Sequence, residues 1–290
     1  MRFGVTILPE YRWRDAAPMW RRAQELGFDH AWTYDHIVWG GLPDSPWFGT
    51  IPTLTAAAMV TSTIRLGTFV TSPNYRHPVS FMRDLLALDD ISGGRLTCGI
   101  GAGGDTDSVI LGGPALTPKE RFERLREFTG LLDRLLTQDH VSARGTYFSA
   151  VDARTRPGPL QRPRIPFVMA ANGPRSMRLA AQYGAGWVKT GPNAETMVQW
   201  WAAVAELGAR LDDALGVAGR DGATFERYLS LDASPQFSLA SVAVFEEMTG
   251  RAGELGFTDV ITHWPRSDGP YAGHVSVLEA VASQVIPRLR

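Results

Sequence analysis

Two segments predict the fold of this chain most strongly: Ile64–Pro73, which reads IRLGTFVTSP, and Leu88–Gly104, which reads LDDISGGRLTCGIGAGG. Each contains an apolar run of about six residues, typical of a buried strand. The intervening Pro78–Ile91 has helical periodicity, and a strand–helix–strand crossover makes its two strands parallel neighbours. The second strand continues into Gly101–Gly104, where missing Cβ atoms let the backbone approach a flat or phosphorylated ligand closely.

The same strand–helix unit recurs along the whole chain. The predicted strands are Phe3–Leu8, His30–Trp32, Arg65–Val70, Arg95–Ile100, Phe167–Ala170, Trp187–Lys189, Tyr228–Leu231 and Val260–Trp264. Two helix–strand joints are nearly identical, AQELGFDHAW at Ala23–Trp32 and AGELGFTDVI at Ala252–Ile261, as expected for a ring of repeated units. We therefore expect an α/β fold, a (β/α)8 TIM barrel that forms a single domain over residues 1–290.

Capping signals predict where several helices begin and end. We expect a first helix over Asp15–Leu26, with Asp15 as N-cap and Gly27 as the C′ residue, and a second over Pro52–Thr61. Thr117-Pro118-Lys119-Glu120 has the pattern of a capping box with proline at N1. The irregular Gly145–Pro163 indicates a loop or hairpin inserted before strand 5.

Composition excludes several classes of function. The 290 residues carry a formal charge of −1 without a long basic run, so we expect no nucleic-acid partner. No apolar run reaches the roughly 20 residues that cross a bilayer, and the chain enters a strand at once. The single Cys98 fits a reducing compartment. These features predict a cytoplasmic protein that does not bind membranes.

The carboxyl ends of the predicted strands, where barrels bind their ligands, are rich in aromatic residues and glycine. Such a mouth suits a planar ring system. The six histidines form no HxH or HxxxH pair, so no metal site is expected. Cys98 alternates with Leu96 and Ile100, which predicts a packed rather than a reactive thiol. No nucleophile-elbow or Walker sequence occurs.

Four motifs in this order resemble the bacterial luciferase-like superfamily of flavin- and deazaflavin-dependent oxidoreductases. They are GFDHAWTYDH (Gly27–His36), TSTIRLGTFVTSPNYRHP (Thr61–Pro78), LDDISGGRLTCGIGAGG (Leu88–Gly104) and VMAANGPRSMRLAAQYGAGWV (Val168–Val188). The resemblance implies a (β/α)8 barrel with an insertion, usually a homodimer. It also implies reduced FMN or the deazaflavin coenzyme F420 at the strand ends.

The resemblance assigns chemistry to Asp35-His36, a pair typical of the deazaflavin branch. It places His36 beside the reactive ring carbon, as a proton donor or a polariser of substrate, and an imidazole can transfer a proton near neutral pH. The alternative is a histidine that hydrogen-bonds to backbone at a strand end. Trp39 lies three residues after His36, whereas the family's sugar-phosphate dehydrogenases have a tryptophan four residues after the corresponding histidine. With this offset of one residue, Trp39 is a candidate substrate contact.

Further cofactor contacts are implied after strands three and four. Thr68, Phe69 and Val70 end strand three, where related proteins have a non-proline cis peptide behind the ring; a β-bulge is the alternative. Gly101-Ala102-Gly103 resembles the loop that contacts phosphate and ribityl groups.

One position departs from the family's sugar-phosphate dehydrogenases. Those enzymes have a catalytic glutamate where this chain has Gly104, and the following Asp105 could replace it only if the loop shifts. Asp107 is expected to be a solvated loop residue.

The fifth and sixth strands supply the remaining candidates. Asn172, Gly173 and Arg175 open a helix, where relatives bind the cofactor phosphate; alternatively, Asn172 is an N-cap and Arg175 faces solvent. Thr190 is also expected at the cofactor. For Lys189 we expect a contact to the cofactor tail or a salt bridge, with a Schiff-base lysine as an alternative.

These residues predict an F420-dependent oxidoreductase. We expect hydride transfer between F420 and a small organic substrate, with reduction of a C=C or C=N bond in secondary metabolism. His36 is the leading proton-handling residue; Asp35, Asp105 and Glu10 are further catalytic candidates, and Tyr75 lies beside the substrate. The alternatives are a two-component FMN-dependent monooxygenase and a flavin-binding relative without turnover.

Overall fold

A computed structural model of the chain describes residues 1–189 and 194–290. Within them, eight parallel strands form a closed barrel in the order β1-β10-β9-β8-β7-β4-β3-β2. The barrel strands are β1 (Arg2–Thr6), β2 (His30–Thr33), β3 (Arg65–Thr68), β4 (Leu96–Ile100), β7 (Phe167–Ala170), β8 (Gly186–Lys189), β9 (Glu226–Ser230) and β10 (Asp259–His263). The predicted (β/α)8 fold is confirmed.

Helices connect the strands in the described part of the chain. They are α1 (Trp13–Glu25), α2 (Thr50–Val60), α3 (Pro78–Ile91), α4 (Thr106–Ile110), α5 (Pro118–Thr137), α6 (Pro174–Tyr183), α7 (Met197–Val217), α8 (Val242–Glu254), α9 (Val275–Gln284) and α10 (Ile286–Leu289). Two short 3₁₀ helices, Leu231–Ala233 and Ser238–Ala240, follow β9. Within residues 1–189 and 194–290, we find no helix whose length and apolarity would let it cross a membrane.

The predicted insertion before the fifth barrel strand is a hairpin. Strands β5 (Val141–Arg144) and β6 (Ser149–Ala153) pair antiparallel between α5 and β7. The Glu127 carboxylate of α5 accepts hydrogen bonds from the backbone N–H groups of Thr146, Tyr147 and Phe148 at 2.6–3.0 Å. A Cβ at Gly145 would lie 2.0 Å from Glu127 Oε1, so the hairpin needs glycine where it approaches the carboxylate.

Packing divides the chain into two compact units. Unit 1 comprises Met1–Leu8, Met19–Trp32 and Met169–Arg290, and unit 2 comprises Pro9–Pro18 and Thr33–Val168.

In unit 2, Arg95 holds the loop between α2 and β3. Its guanidinium donates to the carbonyl oxygens of Ala58, Thr61 and Ile64 at 2.8–3.1 Å. These bonds satisfy backbone acceptors at and just beyond the end of α2, which would otherwise have no intrahelical partner.

In unit 1, a buried polar network joins the first barrel strand to the last. Arg2 donates two hydrogen bonds of 2.8 Å to Asp259, and His30 Nε2 lies 3.0 Å from Asp259 Oδ1. Trp32 Nε1 donates to His30 Nδ1 at 2.6 Å. An indole N–H can only donate, so Nδ1 is the acceptor and the His30 proton is on Nε2. His30 is therefore a neutral ring that donates to Asp259.

Several predicted boundaries are wrong by a few residues. Helix α1 begins at Trp13, so Asp15 lies in its first turn and is not the N-cap; Gly27 has the left-handed φ of +83° expected of a C′ residue. Helix α2 begins at Thr50 instead of Pro52. The capping box at Thr117 and Glu120 is confirmed, with both reciprocal hydrogen bonds present.

Candidate functional site

Hydrogen bonds bring together the carboxyl ends of three neighbouring strands in unit 2. Thr71, after β3, donates its Oγ1 proton to Asp35 Oδ2, after β2, at 2.7 Å. The backbone of Thr71 also pairs with the end of β4, since its N–H donates to Gly99 O at 2.8 Å and its carbonyl accepts from Gly101 N at 2.9 Å. The candidate site is built on this junction.

Asp35 is completely buried and its carboxylate is fully engaged. Arg76 donates to both oxygens, at 2.6 and 3.1 Å, in addition to the bond from Thr71. Burial lowers the pKa of Arg76, but the Asp35 carboxylate outweighs burial and holds that pKa above its ordinary value. Asp35 therefore holds the ends of β2 and β3 together, and both of its oxygens have partners already.

The predicted substrate residue Tyr75 lies on this ion pair. The Arg76 guanidinium is 4.2 Å from the centre of the Tyr75 ring, within the range of a cation–π contact. Burial and the nearby Asp35 carboxylate raise the pKa of Tyr75 to about 12. Its phenol is consequently protonated at neutral pH and can donate a hydrogen bond.

His36 is partly accessible and its Nδ1 is already paired. The side chain is 23% exposed, and Nδ1 lies 2.8 Å from Asp107 Oδ2. The other Asp107 oxygen accepts from the backbone N–H of Ile37 at 2.8 Å. Because Asp107 is 2% exposed, the expectation of a solvated loop residue is wrong: the short helix α4 places it against the end of β2.

The other predicted acids are less buried. Asp105 immediately precedes α4, is partly exposed and makes no capping hydrogen bond through its side chain. Glu10 follows β1 in the loop before α1 and is also partly exposed. The carboxylate that contacts His36 is Asp107, which the sequence analysis did not choose.

An aromatic cluster surrounds the residues before His36. The Tyr34 ring stacks on Phe69 with centroids 6.1 Å apart and meets Trp39 edge-on at 5.2 Å. Trp47 lies 6.5 Å from the same ring, and its Nε1 donates to the His36 carbonyl at 2.9 Å. The predicted substrate residue Trp39 therefore lies in this cluster, and Trp47, which was not among the predicted site residues, is an additional member.

The loop after β4 packs closely against the segment that follows β3. Gly103 has a φ of +63°, and a Cβ there would lie 2.5 Å from Ser72 Oγ. Asn74 Nδ2 donates to the carbonyl oxygens of Ala102 and Gly104 at 2.9 and 2.5 Å. Since only the NH₂ group can meet two carbonyls, the Asn74 amide orientation is fixed.

One acceptor beside this loop, on the segment after β3, has no partner among the described residues. Asn74 Oδ1 is buried without a hydrogen bond among the described residues, whereas buried polar atoms are nearly always paired. Asn74 Oδ1 could thus accept an N–H or O–H from a ligand lying against Gly101-Ala102-Gly103. A glycine-rich loop and an unused acceptor fit a planar cofactor that carries hydroxyl or ring N–H groups.

The end of β3 completes this region. Thr68 is buried and donates its Oγ1 proton to Gly99 O at 2.9 Å. The Phe69–Val70 peptide bond is cis, as the resemblance implies, and the strand ends at Thr68, two residues earlier than predicted. Cys98 is buried as expected, and burial raises the pKa of its thiol.

The predicted phosphate contacts lie in unit 1, at the start of α6. Gly173 is the N-cap and Pro174 is the first helical residue, so the alternative role of Asn172 as N-cap is wrong. Asn172 and Arg175 are exposed. Thr190 lies outside the described residues.

Lys189 is packed between β8 and α7. It is completely buried, and its Nζ lies 4.3 Å from the centre of the Trp200 ring. Within the described residues its Nζ has neither a salt bridge nor a hydrogen-bond partner, so the salt bridge named as one expectation is not found there, and the contact to a cofactor tail stays a prediction. Burial lowers the Lys189 pKa to about 8.

A second histidine–carboxylate pair, not predicted from the sequence, follows β9 and β10 in unit 1. Asp232 Oδ2 lies 2.9 Å from His263 Nδ1 and accepts from the His263 backbone N–H at 2.6 Å. The Tyr271 ring stacks on His263 with centroids 3.7 Å apart. In the part of the chain that the structure describes, no group of three or more His, Cys, Asp or Glu side chains is arranged to hold a metal ion.

Comparison with known proteins places the chain in a family. A family model described as luciferase-like monooxygenase matches residues 1–236. An F420-dependent glucose-6-phosphate dehydrogenase of Beutenbergia cavernae is 29% identical over 326 aligned positions, covering 92% of this chain and 91% of that protein. A 4-hydroxyprotoasukamycin monooxygenase of Streptomyces nodosus subsp. asukaensis is 32% identical over 74% of this chain and 56% of its own length.

Solved structures agree on the fold. The coenzyme F420-dependent tetrahydromethanopterin reductase of Methanopyrus kandleri superposes with a TM-score of 0.80 at 20% identity, covering 100% of this chain and 99% of that one. The family match covers most of the sequence, including the junction of β2, β3 and β4. The chain therefore belongs to the luciferase-like monooxygenase family of oxidoreductases.

Proposed function

We propose that this protein is an F420-dependent oxidoreductase that transfers a hydride between F420 and a small organic substrate, reducing a C=C or C=N bond. Both the glucose-6-phosphate dehydrogenase and the tetrahydromethanopterin reductase to which the chain is similar are F420-dependent enzymes. The observation that carries the proposal is the His36 imidazole, 23% exposed and held at the end of β2 beside the aromatic cluster. Such a group can exchange a proton with a substrate in a mostly apolar pocket.

The residues of unit 2 suit the parts of a deazaflavin. Bound, F420 would supply two electrons and a hydrogen nucleus as hydride. Gly101-Ala102-Gly103 would give its polar tail close access to the backbone, and Asn74 Oδ1 would accept one of its donors. His36 would provide the proton that, together with the hydride, completes addition across the double bond. Solvent would then return a proton to the His36 imidazole.

Gly104, the residue after Gly101-Ala102-Gly103, favours a reductase that acts on a double bond over a dehydrogenase that acts on a sugar phosphate. Gly104 stands where the resemblance implies a catalytic glutamate, and a Cβ there would meet no atom within 4 Å. The space is therefore not filled by another side chain. The site therefore suits a substrate that needs a proton from His36 but no carboxylate at position 104 better than it suits a sugar phosphate.

A binding titration tests the cofactor. The purified protein is titrated with F420 and with FMN, and the two dissociation constants are compared. We expect tighter binding of F420. Preferential binding of FMN would contradict this choice and favour the second candidate, a two-component FMN-dependent monooxygenase, which the similarity to 4-hydroxyprotoasukamycin monooxygenase supports.

Substitution of His36 tests the catalytic assignment. His36→Ala should reduce turnover by about 10²–10⁴-fold, the usual contribution of general acid–base catalysis, and should leave the F420 dissociation constant within about threefold. His274→Ala, which removes an exposed imidazole, is the matched control and should keep wild-type turnover. Unchanged turnover in His36→Ala would contradict the role of His36 as proton donor, whereas F420 binding with no turnover in the wild type would support a cofactor-binding protein without catalysis.

The remaining expectations are proposals of the same kind. We propose a cytoplasmic homodimer whose partner is a small molecule, with the cofactor phosphate bound by Asn172, Gly173 and Arg175, and with Thr190 as a further contact. Light scattering coupled to size exclusion should give twice the 31.7 kDa chain mass. Arg175→Ala should weaken F420 binding and leave binding of the tail-free deazaflavin chromophore unchanged.

A further inference from the structure

We infer that Asp107 is a positioning residue that sets the tautomer and orientation of His36. The inference rests on the proposed function, because the value of an oriented imidazole lies in the proton that it transfers. Asp107 comes from α4, a helix of five residues that the sequence analysis did not predict. It reaches the end of β2 across 71 positions of sequence.

The two oxygens of Asp107 bind two consecutive residues. Oδ2 lies 2.8 Å from His36 Nδ1, and Oδ1 accepts from the Ile37 backbone N–H at 2.8 Å. The carboxylate thus fixes both the ring and the backbone that bears it. Trp47 adds a third contact, a 2.9 Å hydrogen bond to the His36 carbonyl. These bonds leave little freedom to rotate the ring about its side-chain torsions.

The same contact determines where the proton is. An ionised carboxylate only accepts hydrogen bonds, so the neutral ring carries its proton on Nδ1, facing Asp107. Asp107 is 2% exposed and the His36 side chain 23% exposed, and because Asp107 engages Nδ1, the ring nitrogen left for a substrate is Nε2. Nε2 is then a bare acceptor in the neutral ring and a donor in the imidazolium, as required of a group that both receives and gives a proton.

The role of Asp107 is confined to orienting the ring, because its two oxygens are engaged with His36 Nδ1 and the Ile37 N–H. Asp107 does not itself touch the substrate in this scheme. It acts through His36, and its loss should affect the proton-transfer step more than binding.

The test is Asp107→Asn, which preserves shape and can still accept from Ile37 N–H. Its NH₂ group would face Nδ1 and force the neutral proton onto Nε2. We expect ¹⁵N NMR of the imidazole to show the Nδ1–H form in the wild type and the Nε2–H form in the variant. Turnover with F420 should fall by about 10²–10⁴-fold, with KM and the F420 dissociation constant within about threefold.

Two further variants sharpen the test. Asp107→Glu keeps a carboxylate and should restore the Nδ1–H form and part of the turnover. Asp105→Asn removes the neighbouring carboxylate, two residues before Asp107, and should leave the His36 tautomer as in the wild type. If Asp105→Asn changes the tautomer, or if Asp107→Asn keeps both tautomer and turnover, the inference about Asp107 is overturned.

The NMR measurement separates this inference from the proposed function. The tautomer is read in the protein without cofactor, so it stands even if F420 does not bind. Failure of F420 to bind or turn over would overturn the proposed function alone. Melting temperatures close to that of the wild type identify variants that have kept the fold. If Asp107→Asn does not fold, the wild-type spectrum is the reading, because an Nε2–H ring in the wild type would overturn the inference.

Discussion

Lys189 is a buried cation whose main contact is an aromatic face. Its ammonium lies over the Trp200 indole at 4.3 Å and has no hydrogen-bond acceptor among the described residues. The ammonium–indole attraction is worth about 1–2 kcal/mol. It only partly offsets the loss of hydration, which is why the pKa of Lys189 falls to about 8.

Lys189→Met should therefore stabilise the protein at neutral pH. The unfolded lysine holds its proton up to its ordinary pKa of about 10.5, whereas the folded one releases it near 8. Wild-type stability should then rise between about pH 8 and pH 10.5, as the folded state no longer carries the buried charge. We expect a gain of about 1–2 kcal/mol for the variant at pH 7, and a smaller gain at pH 10.

Urea unfolding at the two pH values measures this effect. Lys119→Met is the matched control, since Lys119 is the only other lysine in the sequence and is exposed. It should change the free energy of unfolding by less than about 0.5 kcal/mol and should not alter its pH dependence. A loss of stability in Lys189→Met would show that the ammonium–indole contact outweighs desolvation.

The sequence placed the candidate site residues Asp35 and His36 more accurately than it identified the residues that contact them. Asp35 and His36 could be placed at a strand end because the β2 pattern and the resemblance both point there, and the structure finds both at that end. Asp107 could not be recognised, because its burial depends on α4, a helix too short to show periodicity. The contact of Asp35 with Arg76 also spans a loop whose course no local pattern determines.

At the scale of elements, Glu127 organises the β5–β6 hairpin. Three backbone N–H groups of the turn donate to one carboxylate, and hydrogen bonds to a charged group contribute about 1.5–3 kcal/mol each. Glu127→Ala should therefore loosen the turn without unfolding the barrel. We expect faster hydrogen exchange at Thr146, Tyr147 and Phe148, and little change in α5.

Glu123→Ala is the control for this prediction. Glu123 lies about one turn earlier on α5, and its ion pair with Arg126 is local to that helix. Its removal should leave exchange in the turn at the wild-type rate. Equal exchange in the Glu127→Ala turn and the wild-type turn would mean that strand pairing alone holds the hairpin.

Elements with strong local signals were predicted most accurately. Helix α3 has the predicted bounds Pro78–Ile91, since Pro78 marks its start and Gly93 follows its end. The α5 capping box is likewise present. Strand ends were off by one or two residues, because short buried runs do not show where pairing with a neighbour stops. The insertion was predicted as a loop or hairpin without strand bounds, because β6 is largely exposed and has little apolar pattern.

At the scale of the whole molecule, the first and last barrel strands meet in register, from Arg2 opposite Asp259 to Thr6 opposite His263. Asp259 is completely buried at the start of this pairing. Burial raises its pKa, but the hydrogen bonds from His30, Arg2 and Thr258 outweigh burial and hold the pKa below its ordinary value.

Acid should therefore destabilise the protein through Asp259. A carboxylate whose folded pKa is depressed stabilises the fold above its unfolded pKa of about 3.9, and that contribution is lost as pH falls through the folded pKa. Asp259→Asn should lower the free energy of unfolding by about 3–5 kcal/mol at pH 7 because it removes the buried negative charge that pairs with Arg2 and replaces one of the two acceptor oxygens with an NH₂ group that faces a donor. The difference from the wild type should shrink below about pH 4.

Chemical denaturation at pH 7 and pH 3 measures both quantities. Asp212→Asn is the control, because Asp212 pairs with Arg227 while 58% exposed, and such pairs contribute at most about 1 kcal/mol. If Asp259→Asn is as stable as Asp212→Asn at pH 7, the buried network does not close the barrel.

We further propose that the chain behaves as one domain. Pairing of β1 with β10 makes the strand order a closed ring, so loss of any strand removes hydrogen bonds from two neighbours. Calorimetry should show a single transition, with the calorimetric enthalpy equal to the van't Hoff enthalpy. Two transitions would mean that the two compact units unfold independently.

The burial of Lys189 has a practical consequence for following this protein in solution. The chain offers two lysine side chains, one exposed and one completely enclosed. An amine-reactive acylating reagent should mark the native molecule at Lys119 and leave Lys189 untouched. Acylation at Lys189, located by peptide mapping so that it is distinguished from acylation of the α-amino group, would then report molecules in which unfolding has exposed this side chain, without any engineered probe.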